Sequence, residues 1–196
     1  VTANALLRSH VTQSSATDQV VLGKNDWLYF SGTTADYQGT NLFSEREIYA
    51  ILHNLKLIQN YVQEQGSAFY LMVPPNKNSL YDENMPYYYQ KGDESDLEML
   101  TERFQQEGIS YIDLYEAFQE KEEVLYFQRD SHWNNQGALL AYRNLMEAIG
   151  KDYETYLNAP FDVEKSIAVT WMKCFFQKQC RKRTIISMIQ HLILSM

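Results

Sequence analysis

Cysteine is absent from the first 164 of the 196 residues, and both Cys174 and Cys180 fall in the last 32. Disulfides therefore do not hold the main part of the chain together, a composition open to exported and cytosolic proteins alike. Long apolar runs are lacking too. The longest tract, Thr184 to Met196, is interrupted by Gln190 and His191 and is too short to span a bilayer. No signal peptide is visible and the chain opens on Val1, which predicts a processed chain or a fragment. An excess of base is missing as well: the formal net charge is −8, so nucleic acid is not an expected partner, because phosphate binding needs a basic face.

What is present is enough for one domain, long enough to bury roughly 70% of its unfolded surface. The apolar fraction is 45% and there are 15 tyrosines, a high number for this length. Charge is unevenly distributed. Residues 1 to 164 hold all 25 Asp and Glu against 11 of the 17 Lys and Arg, a balance of −14, whereas residues 165 to 196 carry 6 basic residues and no acid. The contiguous Arg181-Lys182-Arg183 lies in the same stretch. The character of the chain changes near residue 165.

Residues 1 to 20, rich in Ser and Thr without a sustained period, read as a linker or tether. Trp27 to Phe30 follows a Gly-Lys-Asn-Asp turn and reads as a strand. Asp36 and Tyr37, in the loop that follows, read as solvated rather than as the border of a site. Ser44-Glu45-Arg46-Glu47 is a capping box, and Ile48, Ile51, Leu52, Leu55, Ile58 and Val62 recur behind it at helical spacing as far as Gly66. The apolar run Ala68 to Val73, bounded by Gly66 and Pro74, predicts a strand buried on both faces, and with the preceding helix a crossover unit. A helix from about Ser95 to Glu107, a strand from Ile109 to Ile112 and a helical turn with Glu116 and Phe118 follow. The acidic run Glu120, Glu122, Glu123 reads as a solvated face, and Tyr87-Tyr88-Tyr89 as an aromatic loop suited to sugars or to packing. This alternation predicts an α/β fold, with a parallel sheet flanked by helices in three layers.

The stretch most suggestive of chemistry runs from Tyr126 to Ala138, Tyr-Phe-Gln-Arg-Asp-Ser-His-Trp-Asn-Asn-Gln-Gly-Ala. A strand from Val124 to Phe127 is expected to deliver Asp130 and His132 to the start of a helix from Asn135 to Ile149. Asp130 could orient His132 and leave its other ring nitrogen as a general base; the alternative is an Asx-type turn with a satisfied His. The Pro74-Pro75-Asn76-Lys77 loop is expected at the same sheet edge.

Asp130-Ser131-His132-Trp133-Asn134 with Gly137-Ala138 and Ala141-Tyr142 resembles the signature of the alginate O-acetyltransferase type of SGNH hydrolase-like domain, and of related bacterial envelope proteins named for an Asp-His-His-Trp motif. Gly23-Lys24-Asn25-Asp26-Trp27-Leu28-Tyr29-Phe30 and Val73-Pro74-Pro75-Asn76-Lys77-Asn78-Ser79-Leu80-Tyr81 resemble two earlier segments of that family, in the same order. The resemblance implies an SGNH/flavodoxin-like fold over residues 21 to 164, incomplete at its C-terminus. It implies His132 and Asp130 as catalytic base and orienter, and Lys77, Asn76, Trp133 and Tyr81 beside substrate, with Lys77 and Asn76 meeting an anionic group or an oxyanion. It further implies an extracytoplasmic protein, at the cell surface or tethered to the membrane, that acts on surface polysaccharide beside a membrane-bound O-acyltransferase. No cofactor or metal is expected, since Asp130 and His132 have no third metal ligand in view.

SGNH acyl transfer also needs a serine, which this family carries in a Gly-Asp-Ser block well after the Asp-x-His. The sequence contains no Gly-Asp-Ser. The serines after His132, namely Ser166, Ser187 and Ser195, lack the neighbouring glycine of a nucleophile turn. With one permissible choice of synonymous codons, the message for Val169 to Lys178 reads in a neighbouring frame as Gly-Asp-Leu-Asp-Glu-Met-Leu-Phe-Pro-Lys. Residues 165 to 196 are thus expected to be a frameshifted tail; the alternative is a native amphipathic helix from Ile185 to Leu194. The expected function is that of an SGNH-type O-acetyltransferase or acetylesterase family member, inactive as this chain because the serine is absent. The alternative is a non-catalytic glycan-binding or scaffold module that uses Tyr87 to Tyr89.

Overall fold

The computed structural model describes Ser15 and residues 18–156; most of the linker, the whole 165–196 tail and its Ile185 to Leu194 segment lie outside the described residues. The fold opens with an antiparallel pair, β1 (Val20–Leu22) and β2 (Leu28–Phe30), joined by a turn in which Asn25 and Asp26 both take positive φ. Asn and Asp tolerate that backbone better than most other non-glycine residues. Val20, the last residue of the expected linker, is buried, and Ser31 donates to the carbonyls of Asp18 and Gln19. A short helix α1 (Thr34–Tyr37) follows, where the sequence reads as a loop.

The capping box forms as expected at α2 (Glu45–Glu64): Glu47 N donates to Ser44 Oγ at 3.4 Å and Ser44 N to the Glu47 carboxylate at 2.9 Å. The inner face carries Ile48 and Leu52 against Phe104 and Ile109. Ile58, expected inward, is 49% exposed, and Gln59 is 3% exposed in its place. Gln59 Nε2 donates to Gly108 O at 2.9 Å while Oε1 accepts from Ser110 N at 2.8 Å. A count of apolar residues passes over such a glutamine, yet a buried amide with both ends paired is stable in a core.

β3 (Leu71–Met72) runs parallel to β4 (Tyr111–Ile112), and α3 (Lys77–Leu80) and α4 (Asp96–Gln106) lie between them in sequence. Helices connecting parallel strands give the α/β class that the alternation predicts. The paired segments are shorter than the apolar runs that contain them. Leu71 and Met72 are half-buried rather than covered on both faces, because among the described residues this sheet has two strands. α5 (Leu114–Gln119) begins at Asp113, whose carboxylate accepts from Tyr115 N and Glu116 N.

Val124 to Phe127 does not become a ladder strand. Tyr126 instead makes a single antiparallel bridge to Trp133, and Val124 and Phe127 remain exposed. Asn134 N donates to Leu125 O at 2.8 Å and Phe127 N to His132 O at 3.1 Å, so residues 127 to 132 form the tip of a tight hairpin. α6 (Asn135–Ile149) starts immediately after it, with Asn134 Oδ1 accepting from Gln136 N and Gly137 N, and ends at Gly150 in the left-handed conformation. Tyr81 joins two parts of the core: it packs against the cluster of Trp27, Tyr29 and Met85 and against the cluster of Leu114, Phe118 and Tyr126.

Gly137 fixes how closely α6 approaches the hairpin. A Cβ there would lie 2.6 Å from Leu125 O and 2.9 Å from Trp133 Cβ, closer than real atoms come. Gly137→Ala is therefore expected to lose on the order of 1–3 kcal/mol by overpacking, despite the higher helix propensity of alanine, as measured by urea unfolding.

Candidate active site

The hairpin tip is stabilised mainly by contacts from its own side chains and from below. Asp130 is buried, and its Oδ1 accepts from His132 N at 3.1 Å and lies 2.6 Å from His132 Nδ1. One carboxylate oxygen thus holds both the backbone and the ring of the residue two positions on. Asp130 fixes the tautomer with hydrogen on Nδ1 and leaves Nε2 as the basic nitrogen. The His132 side chain is 50% exposed, so the ring is held on one side and open on the other. The hydrogen bond to Asp130 raises the His132 pKa above its usual value, with the carboxylate charge adding to it and partial burial opposing it.

Beneath the tip lies Lys77, 6% exposed, at the first position of α3. Its Nζ donates to Leu28 O at 2.9 Å, Phe127 O at 2.8 Å, Gln128 O at 2.8 Å and Asp130 O at 3.0 Å. The same ammonium sits over the rings of Trp27 and Tyr29, 4.7 and 5.2 Å from their centroids. Burial pushes its pKa down to about 7, with the Asp130 carboxylate opposing the fall. The Pro74 to Lys77 loop does meet the Asp130 loop, as expected. The ammonium is turned into backbone carbonyls, and its three protons are shared among four acceptors.

The other residues expected beside substrate have partners of their own. Tyr81 is half-buried, with its hydroxyl accepting from Leu125 N at 2.8 Å and its ring 5.0 Å from that of Trp27. Trp133 packs on Phe118, at 6.0 Å between centroids. Both support the hairpin from inside. Asn76 Nδ2 donates to Asp36 Oδ2 at 3.0 Å, and both residues line a cavity of about 240 Å³ together with Asp113, Ser95 and Lys91. Asp130 and His132 do not line that cavity. Asp36, which reads as solvated in the sequence, is half-buried and also accepts from Asp96 N at 2.8 Å. Among the described residues no three His, Cys, Asp or Glu are grouped to hold a metal, and no helix is long and apolar enough to cross a membrane.

Residues 20–172 match the model of a family described as SGNH hydrolase-like domain, acetyltransferase AlgX. The chain belongs to this family. The match to the AlgX-type domain continues past residue 164, where the composition changes. Over 163 residues the chain is 29% identical to the probable alginate O-acetylase AlgJ of Pseudomonas syringae pv. tomato, covering 77% of this chain and 37% of that protein. It therefore spans little more than a third of that relative. Among solved structures, Bacillus cereus PatB1 with a sulfonyl adduct superposes with a TM-score of 0.52 at 22% identity, over 70% of this chain and 45% of that one, a likeness of fold. The O-acetyltransferase domain of Pseudomonas putida AlgJ gives 0.49 at 22% identity, over 67% and 47%.

The Asp130–His132 contact has a signed pH dependence. The folded state favours protonated His132, so the contribution to stability is fully present below the ordinary value of about 6.5 and is lost as pH rises through the raised folded value. Because the ring is half exposed, that contribution is screened and modest. Asp130→Asn is expected to abolish this part of the pH dependence, so its unfolding midpoints across a pH series should differ from the parent's most on the acid side and converge as pH rises.

Proposed function

We propose that this chain carries the acid and base half of an SGNH-type O-acetyltransferase or acetylesterase of the cell envelope, acting on a surface polysaccharide. The observation that carries the proposal is the 2.6 Å contact from Asp130 Oδ1 to His132 Nδ1, on a ring left half open to solvent. A serine hydroxyl presented to Nε2 would pass its proton to His132 as its oxygen attacked the acetyl carbonyl of a donor ester. Collapse of the tetrahedral intermediate expels the donor's alcohol, which leaves with the proton held by His132. A sugar hydroxyl, or water in an esterase, then attacks the acetyl-serine, with His132 again taking the proton and returning it to the serine. Asp130 keeps the ring oriented and stabilises the imidazolium at each stage.

The names alginate O-acetylase AlgJ and acetyltransferase AlgX support polysaccharide acetylation; the extracytoplasmic setting, with a membrane-bound O-acyltransferase as the source of the acetyl group, is part of the same proposal. By itself the chain has no Gly-Asp-Ser, and loss of the serine in triad enzymes costs on the order of 10⁶ in turnover. We therefore read it as inactive in this form, with the 165–196 tail carrying a shifted frame from about Val169 on. The exposed Tyr87 and Tyr88 favour saccharide binding without turnover as a second reading.

A fluorophosphonate serine probe followed by mass spectrometry tests both parts of the proposal. The 196-residue chain is expected to give no His132-dependent adduct. The chain expressed with the frame restored after residue 168 is expected to give one adduct, lost in His132→Ala. A His132-dependent adduct on the present chain would overturn its inactivity, and no adduct on the restored chain would overturn the acyl-transfer assignment.

A further inference from the structure

We propose that Lys77 is a positioning residue for the Asp130–His132 pair, its ammonium fixing the hairpin tip so that carboxylate and imidazole meet. The inference deepens the function proposed above and rests on that assignment of Asp130 and His132. Its basis is where the four acceptors lie. Leu28 O belongs to β2, whereas Phe127, Gln128 and Asp130 supply three carbonyls from within four consecutive residues of the tip. Converging carbonyls repel one another unless a cation sits among them, so the ammonium holds the tip's backbone in its turn and ties it to β2.

Two further contacts hold the same place. Leu28 N donates to Gln128 O at 3.0 Å, and the Tyr126 hydroxyl donates to Pro75 O at 2.5 Å, two residues before Lys77. The carbonyl of Asp130 is thus held from below while its side chain reaches His132 from the other end of the same residue. Lys77 is 6% exposed and bonds the backbone of Asp130, so its action on the pair is through Asp130. Of the other charged groups at this tip, Arg129 is paired with Asp26 at 2.8 Å.

The readout is the titration midpoint of His132 by NMR in the 196-residue chain, assigned with His132→Ala. It needs no turnover, so absence of acyl chemistry would leave it interpretable. Removing a nearby cation by itself raises the pKa of an imidazole. Loss of the Asp130 contact lowers it. Lys77→Met is expected to bring the midpoint down to the ordinary value of about 6.5, whereas Phe104→Leu, which weakens a remote part of the core, leaves it raised. An unchanged or higher midpoint in Lys77→Met would overturn the proposal. If that variant does not fold, the parent chain decides: the Lys77 ammonium protons should be slow to exchange and show couplings to the carbonyls of Phe127, Gln128 and Asp130. Fast-exchanging ammonium protons would overturn the proposal equally.

Discussion

One buried ammonium among four carbonyl oxygens is the interaction on which the site depends. Placing a charge away from water costs several kcal/mol unless its hydrogen-bonding capacity is met. Lys77 meets it with backbone oxygens and two aromatic faces. The interaction serves both partners. Phe127 O and Gln128 O also accept from Asp130 N and Leu28 N, and the ammonium adds a charged donor to each of the three tip carbonyls. Charge-assisted hydrogen bonds are about twice as strong as neutral ones, so one side chain can set the conformation of a six-residue tip.

Around that centre the chain packs aromatic rings and one glycine. Trp27, Tyr29 and Tyr81 enclose the ammonium's side of the fold, and the Tyr81 hydroxyl accepts from Leu125 N at the root of the hairpin. Trp133 closes the root from the other side, and Gly137 lets α6 come close behind it. Lys77, Tyr81 and Trp133 thus pack around the hairpin that carries Asp130 and His132. The segments Gly23 to Phe30, Val73 to Tyr81 and Asp130 to Asn134, far apart in the chain, converge there.

Much of this was legible in the sequence, because the signals were local. The capping box at Ser44, the stop at Gly150 and the start of α6 at Asn135 each depend on a few adjacent residues, and each falls where the pattern places it. Asp130 and His132, two positions apart, could reach one another whatever the rest of the fold did. What escaped was non-local. Lys77 has the chemistry of an anion binder, and only the approach of β2 and the hairpin tip, roughly fifty residues away on either side, turns it to carbonyls. Gln59 lies on a core face because Gly108 and Ser110 arrive to satisfy it. The strand expected at Val124 to Phe127 reads as apolar and extended, but Trp133 is its cross-chain partner, so it folds back as a hairpin.

Lys77 and Asp130 thus act together through the hairpin tip. A double-mutant cycle with Lys77→Met and Asp130→Asn, read by urea unfolding at a pH where His132 is protonated, addresses it most directly. Strong non-additivity is expected, with a coupling above about 0.5 kcal/mol, because either change alone already releases the tip. Additive losses would mean instead that the ammonium and the Asp130–His132 pair are independent neighbours.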